Sequence, residues 1–168
     1  QEFKRDGAFA EWVVVPGQIL ERIPEGLGFE EAAFTEPLAV ALHAVNLVKV
    51  QPGERALVVG SGLIGLLVIQ ALKRAGAGEV VAVDRDRKRL DLALELGADG
   101  AYTPDEDCGD EFDIAMEVVG AAPTLEKAVK SVRKGGRVGL VGNVVAEVPL
   151  ALQWVVTREI TLFGSCAA

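Results

Sequence analysis

Six residues near the middle of the chain, Gly60-Ser61-Gly62-Leu63-Ile64-Gly65, follow the pattern G-x-G-x-x-G, and an acid, Asp84, stands 19 residues beyond the last of them. Glycines at this spacing suit a pyrophosphate. The first permits a tight turn, the second lets backbone approach the phosphates, and the third lets helix and strand pack closely, while the helix N-terminus attracts negative charge. Asp84 would accept hydrogen bonds from an adenosine ribose. Its charge would also repel a 2′-phosphate, which favours NAD over NADP, although Arg85 and Arg87 beside it pull the other way. The competing reading is that the glycines only end a strand and permit packing. A nucleoside-triphosphatase loop is excluded, because Leu66 and Leu67 occupy the positions where Lys and Ser or Thr are required.

Other candidate chemistry is sparse. Glu36 lies in the first turn of an expected helix, where the helix dipole alone would favour an acid. His43 is the single histidine and falls on a largely apolar helix, which reads as a core or interface residue rather than a ligand. With one histidine and no Gly-x-Ser-x-Gly, a hydrolase triad has no support. The acidic run from Asp105 to Asp113 lacks the spacing of a calcium loop and reads as a solvated surface, and the carboxylates around Cys108 disfavour a thiolate there.

These groups need elements to position them. Arg55 to Val59 reads as a strand after the Pro52-Gly53 turn, Gly62 to Ala75 as a helix apolar nearly all round, and Val80 to Asp84 as a second strand. Asp86 to Leu96 follows as a helix with Leu90, Ala93 and Leu94 on its buried face. Ala101-Tyr102 and Asp113 to Val118 are expected strands. Pro123 to Val132 is an expected helix with Leu125, Ala128, Val129 and Val132 inward, ended by Gly135-Gly136. Arg137 to Val141 and Ile160 to Phe163 complete the strands, with a short helix at Ala151 to Thr157 between them. Strands alternating with helices predict an α/β fold, a doubly wound parallel sheet covered on both faces. The first 50 residues differ: Phe9 to Val15 reads as a strand, and Thr35 to Val48 as a connecting helix with Thr35 as N-cap and Leu38, Ala41, Leu42 and Val45 buried.

Composition narrows the function classes. The 168 residues carry 17 Lys and Arg against 25 Asp and Glu, a net charge of −8, and half are hydrophobic. That is enough apolar content for one packed domain and excludes disorder for most of the chain. Excess acid and few aromatics argue against nucleic acid as a partner. Glu2, Lys4, Arg5 and Asp6 show no leader-like apolar stretch, and the uncharged run from Ala56 to Leu72 is broken by four glycine-motif residues, so no membrane span is expected. Cys108 and Cys166, 58 residues apart, form no paired framework, which fits a cytoplasmic setting.

Taken in order, the motifs resemble the medium-chain dehydrogenases and reductases, in the zinc-dependent alcohol and polyol dehydrogenase branch. The resemblance rests on Gly7-Ala8-Phe9-Ala10-Glu11-Trp12, on Glu30-Glu31-Ala32-Ala33 with Glu36-Pro37-Leu38, and on the glycine motif. It extends through Leu96-Gly97-Ala98-Asp99, Glu117-Val118-Val119-Gly120 and Gly135-Gly136-Arg137-Val138 with Val141-Gly142. It implies a Rossmann-type domain over residues 35–168, preceded over residues 1–34 by a remnant of a β-rich, GroES-like catalytic domain. By the same resemblance Gly60, Gly62, Leu63, Ile64, Gly65 and Asp84 would bind NAD, and Arg89 would meet the adenosine side. Glu117, Val118, Val119 and Gly120 would lie by the cofactor, and Val141, Gly142 and Asn143 would approach the nicotinamide. Glu36 would lie near a catalytic zinc. The family's cysteine ligand, its Gly-His-Glu segment and its structural cysteines are missing, so zinc would be held in a longer parent and the chain alone would be inactive. The substrate class implied is a secondary alcohol or polyol, and a homo-oligomer would form through the edge near Val148. The alternatives are a non-catalytic NAD-binding module and a zinc-free reductase of the same superfamily.

Overall fold

Short β-branched runs separated by helices leave the chain little choice but to bury each run on two faces, and the computed structural model, which describes residues 7–166, shows how. Strands β1 (Arg55–Val59), β2 (Glu79–Val83), β3 (Gly100–Tyr102), β4 (Phe112–Glu117), β5 (Val132–Leu140) and β6 (Thr161–Gly164) form one sheet in the order β3-β2-β1-β4-β5-β6. Every pairing is parallel, with Leu57 opposite Val81 on one side and Ala115 on the other. This is the doubly wound order of dinucleotide-binding folds.

Alternation along the strands feeds two separate cores. Ala56 and Val58 join the layer built with α2 (Thr35–Val48), α3 (Leu63–Arg74) and α4 (Arg87–Glu95), whereas Leu57 and Val59 join the layer under α5 (Ala122–Ser131). A helix of six residues, α6 (Leu152–Thr157), contributes Trp154 and Val155 to the second layer. The predicted inner face of α5 is buried as expected at Leu125, Ala128 and Val129, whereas Val132, expected on the same helix, is buried as the first residue of β5. The exit of α2 is tied to the sheet by Arg137, whose Nη1 donates to the carbonyls of Val48 at 3.0 Å and Lys49 at 2.9 Å while Nη2 pairs with Glu54.

Several expectations are corrected. Phe9 to Val15 forms no strand: among the described residues no strand lies beside the segment to pair with it, and Phe9, Trp12 and Val14 stand almost wholly in solvent. Thr35 is not an N-cap, because α1 (Phe29–Ala33) runs almost directly into α2 and Phe34, itself helical in backbone angle, takes the junction. The buried stripe of α2 is Ala41, Ala44, Val45 and Val48, rotated away from Leu38 and Leu42, which are exposed; His43 is half-buried. Leu94 faces solvent while Leu90 and Ala93 are covered. Gly135-Gly136 does not end a helix. It lies inside β5, where the register against β4 jumps from Phe112–Val132 to Ile114–Arg137. Cys108 is not at the surface of its loop, since its side chain is buried in the second layer. Residues 147–150 are not a strand of the sheet, whose edges are β3 and β6. Glu2, Lys4, Arg5 and Asp6 lie outside the described residues.

Candidate functional site

The order of strands reverses direction at β1 and β4, and a sheet wound that way leaves a crevice at the carboxyl ends of its strands. A cleft of about 450 Å³ opens there. Val59, Val83, Pro104, Val119 and Pro123 supply flat apolar walls, and Asp84, Arg85, Arg89, Thr124 and Lys127 supply the polar groups. A more open depression of about 570 Å³ lies on the far side of Pro123 and Lys127. Its lining is mostly charged, and Lys130 there is already paired with Glu126 at 2.5 Å, so it lacks walls to hold a ring.

The glycine motif enters the cleft at Gly60, and its remaining residues build the helix start beside it. Gly60 has φ of +104°, and its N–H donates to the Val83 carbonyl at 2.8 Å, which turns the chain sharply off β1. A Cβ on Gly65 would stand 1.9 Å from the Gly60 carbonyl oxygen, so only glycine lets α3 sit this close to the strand. Gly62 is different: the nearest atom to a Cβ there would be Arg89 Nη1, at 4.0 Å. It caps α3 with no side chain, leaving the first-turn N–H groups open to an outside acceptor. Leu63 is exposed beside it and Ile64 packs into the first layer.

Asp84 follows β2 with its side chain only 11% exposed. Ser61 N–H donates to its Oδ2 at 2.7 Å and Asp86 N–H to its Oδ1 at 2.9 Å. Arg89 Nη1 lies 3.9 Å from Oδ2, near enough for attraction but not a close hydrogen bond. Arg87 turns away. Its Nη2 donates to Glu106 Oε1 at 2.5 Å, and that bond, with Thr103 N–H at 2.7 Å, holds the Glu106 carboxyl down at about 2. Of the two arginines flanking Asp86, then, only Arg85 lines the cleft.

The opposite wall is shaped by Glu117, which is 2% exposed and accepts the N–H groups of Val119 at 3.0 Å and Gly120 at 2.8 Å through Oε1. Its carbonyl accepts from Val141 and Gly142. Gly120 and Gly142 meet backbone to backbone, and a Cβ on Gly142 would fall 2.0 Å from Gly120 N. Thus Gly60, Asp84, Arg89 and Val119 line the cleft, and Gly62, Leu63, Ile64 and Gly65 build the helix start beside it. Val118 packs into the first layer, while Gly120, Val141, Gly142 and Asn143 form the adjoining turns. Glu36 is not brought to the cleft; it is exposed in the first turn of α2. Sequence reasoning missed Pro104, Thr124 and Lys127 in the lining; Glu117, expected by the cofactor, is instead buried behind the wall, accepting Val119 and Gly120 N–H. Thr124 and Lys127 stand one turn apart on α5, a spacing visible in the sequence, but which face of α5 meets the cleft is not.

Residues 64–168 match the family model described as zinc-binding dehydrogenase. The chain is 33% identical to sorbitol dehydrogenase of Bacillus subtilis (strain 168) over 170 residues, covering 95% of this chain and 48% of that protein. It is 41% identical to (R,R)-butanediol dehydrogenase of the same organism over 144 residues, covering 80% of this chain and 42% of that protein. The fold is similar to the crystal structure of a putative zinc-binding dehydrogenase from Sinorhizobium meliloti 1021 bound to NADP, with a TM-score of 0.89 at 31% identity over 97% of this chain and 52% of that one. The chain spans about half the length of the curated relatives it matches.

Proposed function

Because the chain belongs to the zinc-binding dehydrogenase family, a family of oxidoreductases, we propose that it is the dinucleotide-binding part of an alcohol or polyol dehydrogenase that uses NAD. In this reading residues 35–168 are the cofactor domain and residues 1–34 the tail of the catalytic domain. The observation that carries it is the convergence of the open cap at Gly62, the N-terminus of α3 and the Asp84 carboxylate on one apolar-walled cleft.

The residues present fit the cofactor. Gly62 leaves space for phosphate oxygens, which the first N–H groups of α3 would receive. Asp84 would take the ribose hydroxyls, and Val119 with the apolar walls would hold the adenine ring. The turns at Val118 to Gly120 and Val141 to Asn143 would direct the nicotinamide. When bound, NAD supplies the carbon that accepts hydride from the alcohol. What this chain adds is position and the exclusion of water.

A catalytic zinc needs three protein ligands and an open position. Among the described residues no group of three His, Cys, Asp or Glu side chains comes together, so the residues present do not fit the metal and no step through it is derived for this chain. Its ligands, in this reading, belong to the remainder of a longer parent, and the chain alone does not turn over substrate. Self-association through residues 147–150 belongs to the same proposal, supported by the exposure of Leu150 beside Val144, Val145 and Leu152. Among the described residues no helix is long and apolar enough to cross a membrane. The reducing, cytoplasmic setting belongs to the same proposal and rests on the two free cysteines.

Calorimetric titration of the chain with NAD and, separately, NADP tests the reading. NAD should bind more tightly, and Asp84→Ala should narrow the preference by removing the charge that opposes a 2′-phosphate. Failure to bind either nucleotide would overturn it, and tighter NADP binding would assign cofactor choice to Arg85 and Arg89 instead.

A further inference from the structure

We propose that Asp84, besides selecting the cofactor, is the clamp that holds the phosphate-binding loop in its binding shape, so that its loss weakens phosphate binding even where no ribose hydroxyl is present. The inference rests on the dinucleotide reading above. Ser61 lies between the two glycines that shape the loop and is fully buried, yet its hydroxyl has no hydrogen-bond partner and so does not anchor the turn. Its N–H does, by donating to Asp84 Oδ2 at 2.7 Å across the gap between β1 and β2. The other carboxylate oxygen is held at 2.9 Å by Asp86 N–H, and the side chain of Asp86 in turn caps α4 by accepting from Lys88 N–H at 2.9 Å. Asp84 is therefore fixed from its own strand and fixes the neighbouring loop.

The electrostatics point the same way. A carboxylate next to an anion site repels the ligand, and Arg89, 3.9 Å away, screens that only in part. A group whose sole task was to meet the ribose would leave phosphate affinity unchanged or improved when removed. A clamp would do the reverse, because Gly62 and the first turn of α3 follow Ser61 directly and lose their aim when Ser61 is released.

The probe is 2′,3′-dideoxyadenosine 5′-diphosphate, which keeps base and phosphates but offers no ribose hydroxyls. Calorimetry on the wild-type chain and on Asp84→Ala should show binding weakened about tenfold, the scale of one charge-assisted hydrogen bond. Asp84→Asn, whose single amide oxygen can still accept Ser61 N–H although its NH2 cannot accept from Asp86 N–H, should recover part of that loss. Unchanged or tighter binding of the dideoxy nucleotide by Asp84→Ala would overturn the clamp while leaving cofactor binding intact. Should the wild-type chain bind no nucleotide at all, the dinucleotide reading fails instead. The clamp is then judged in the free protein, where Ser61 amide exchange must accelerate in Asp84→Ala while that of Val58 and Ala82 stays unchanged; equal exchange at Ser61 refutes it.

Discussion

Two glycines of one motif should respond in opposite ways to the same methyl group. In Gly65→Ala the new Cβ would lie 1.9 Å from the Gly60 carbonyl oxygen and 2.9 Å from its carbon, both backbone atoms that no rotamer change can move. Ordinary carbon–oxygen contact is more than an ångström longer, so α3 must retreat from β1 and disturb Val68, Ile69 and Leu72 beneath it. Overpacking of this kind costs about 1–3 kcal/mol. For a chain of this size that is a fall in Tm of roughly 2–12 °C, at about 2–4 °C per kcal/mol. In Gly62→Ala the Cβ meets only Arg89 Nη1 at 4.0 Å, and φ is −73°, which any residue adopts. Its Tm should match the wild type, while nucleotide affinity falls because the methyl occupies the phosphate approach. Thermal unfolding followed by circular dichroism, with calorimetric titration on the same samples, separates the two effects. Equal destabilisation by both variants, or a Gly65→Ala variant as stable as wild type, would refute the assignment of packing to one glycine and ligand approach to the other.

Two further outcomes follow from interactions remote from the cleft. Burial raises the Asp113 carboxyl, but hydrogen bonds from Arg55 N–H and Arg133 and the nearby arginine charges outweigh it, so the folded value lies below the ordinary one. Burial likewise raises Asp99, and Val80 N–H with Lys73 brings it below its ordinary value. A carboxyl depressed in the folded state contributes stability present above its unfolded value of about 3.9 and lost as pH falls through the folded value. Tm should therefore drop below about pH 4, and Asp113→Asn should flatten that drop; an unaltered acid profile would contradict the account. Arg137→Ala strips two carbonyl contacts from the end of α2 and leaves Glu54, largely covered, without its cation, for a cost of about 3 kcal/mol. Lys130→Ala, which breaks an exposed pair, should cost less than about 0.5 kcal/mol, and urea unfolding that ranked the two equally would oppose this.

What local sequence could determine, it determined well. The strand, glycine turn and helix from Arg55 to Arg74 fall within a residue or so of expectation, because each is specified by short-range signals: a β-branched run, a motif that only a tight turn tolerates, and apolar residues too continuous for any surface. The parallel sheet follows from the alternation of such units. The pairing of Gly60 with Gly65 was likewise legible, since the motif exists to bring those backbones together.

Tertiary structure alone decided the rest. Phe9 to Val15 has the residues of a strand and no pairing strand among the described residues, and a strand is a property of pairs. Leu38 and Leu42 carry the period of a buried stripe, yet the face of α2 that meets α3 and β5 is the one with Ala41, Ala44 and Val48. Asp84 could be read as a ribose acceptor from its distance beyond Gly65. That it also receives Ser61 N–H depends on β1 and β2 lying side by side in register, a contact across 23 residues that no local pattern encodes. Thr124 and Lys127 came to the cleft in the same way, placed by which face of α5 the second core left uncovered, while Glu117 stays buried behind the wall and holds Val119 and Gly120.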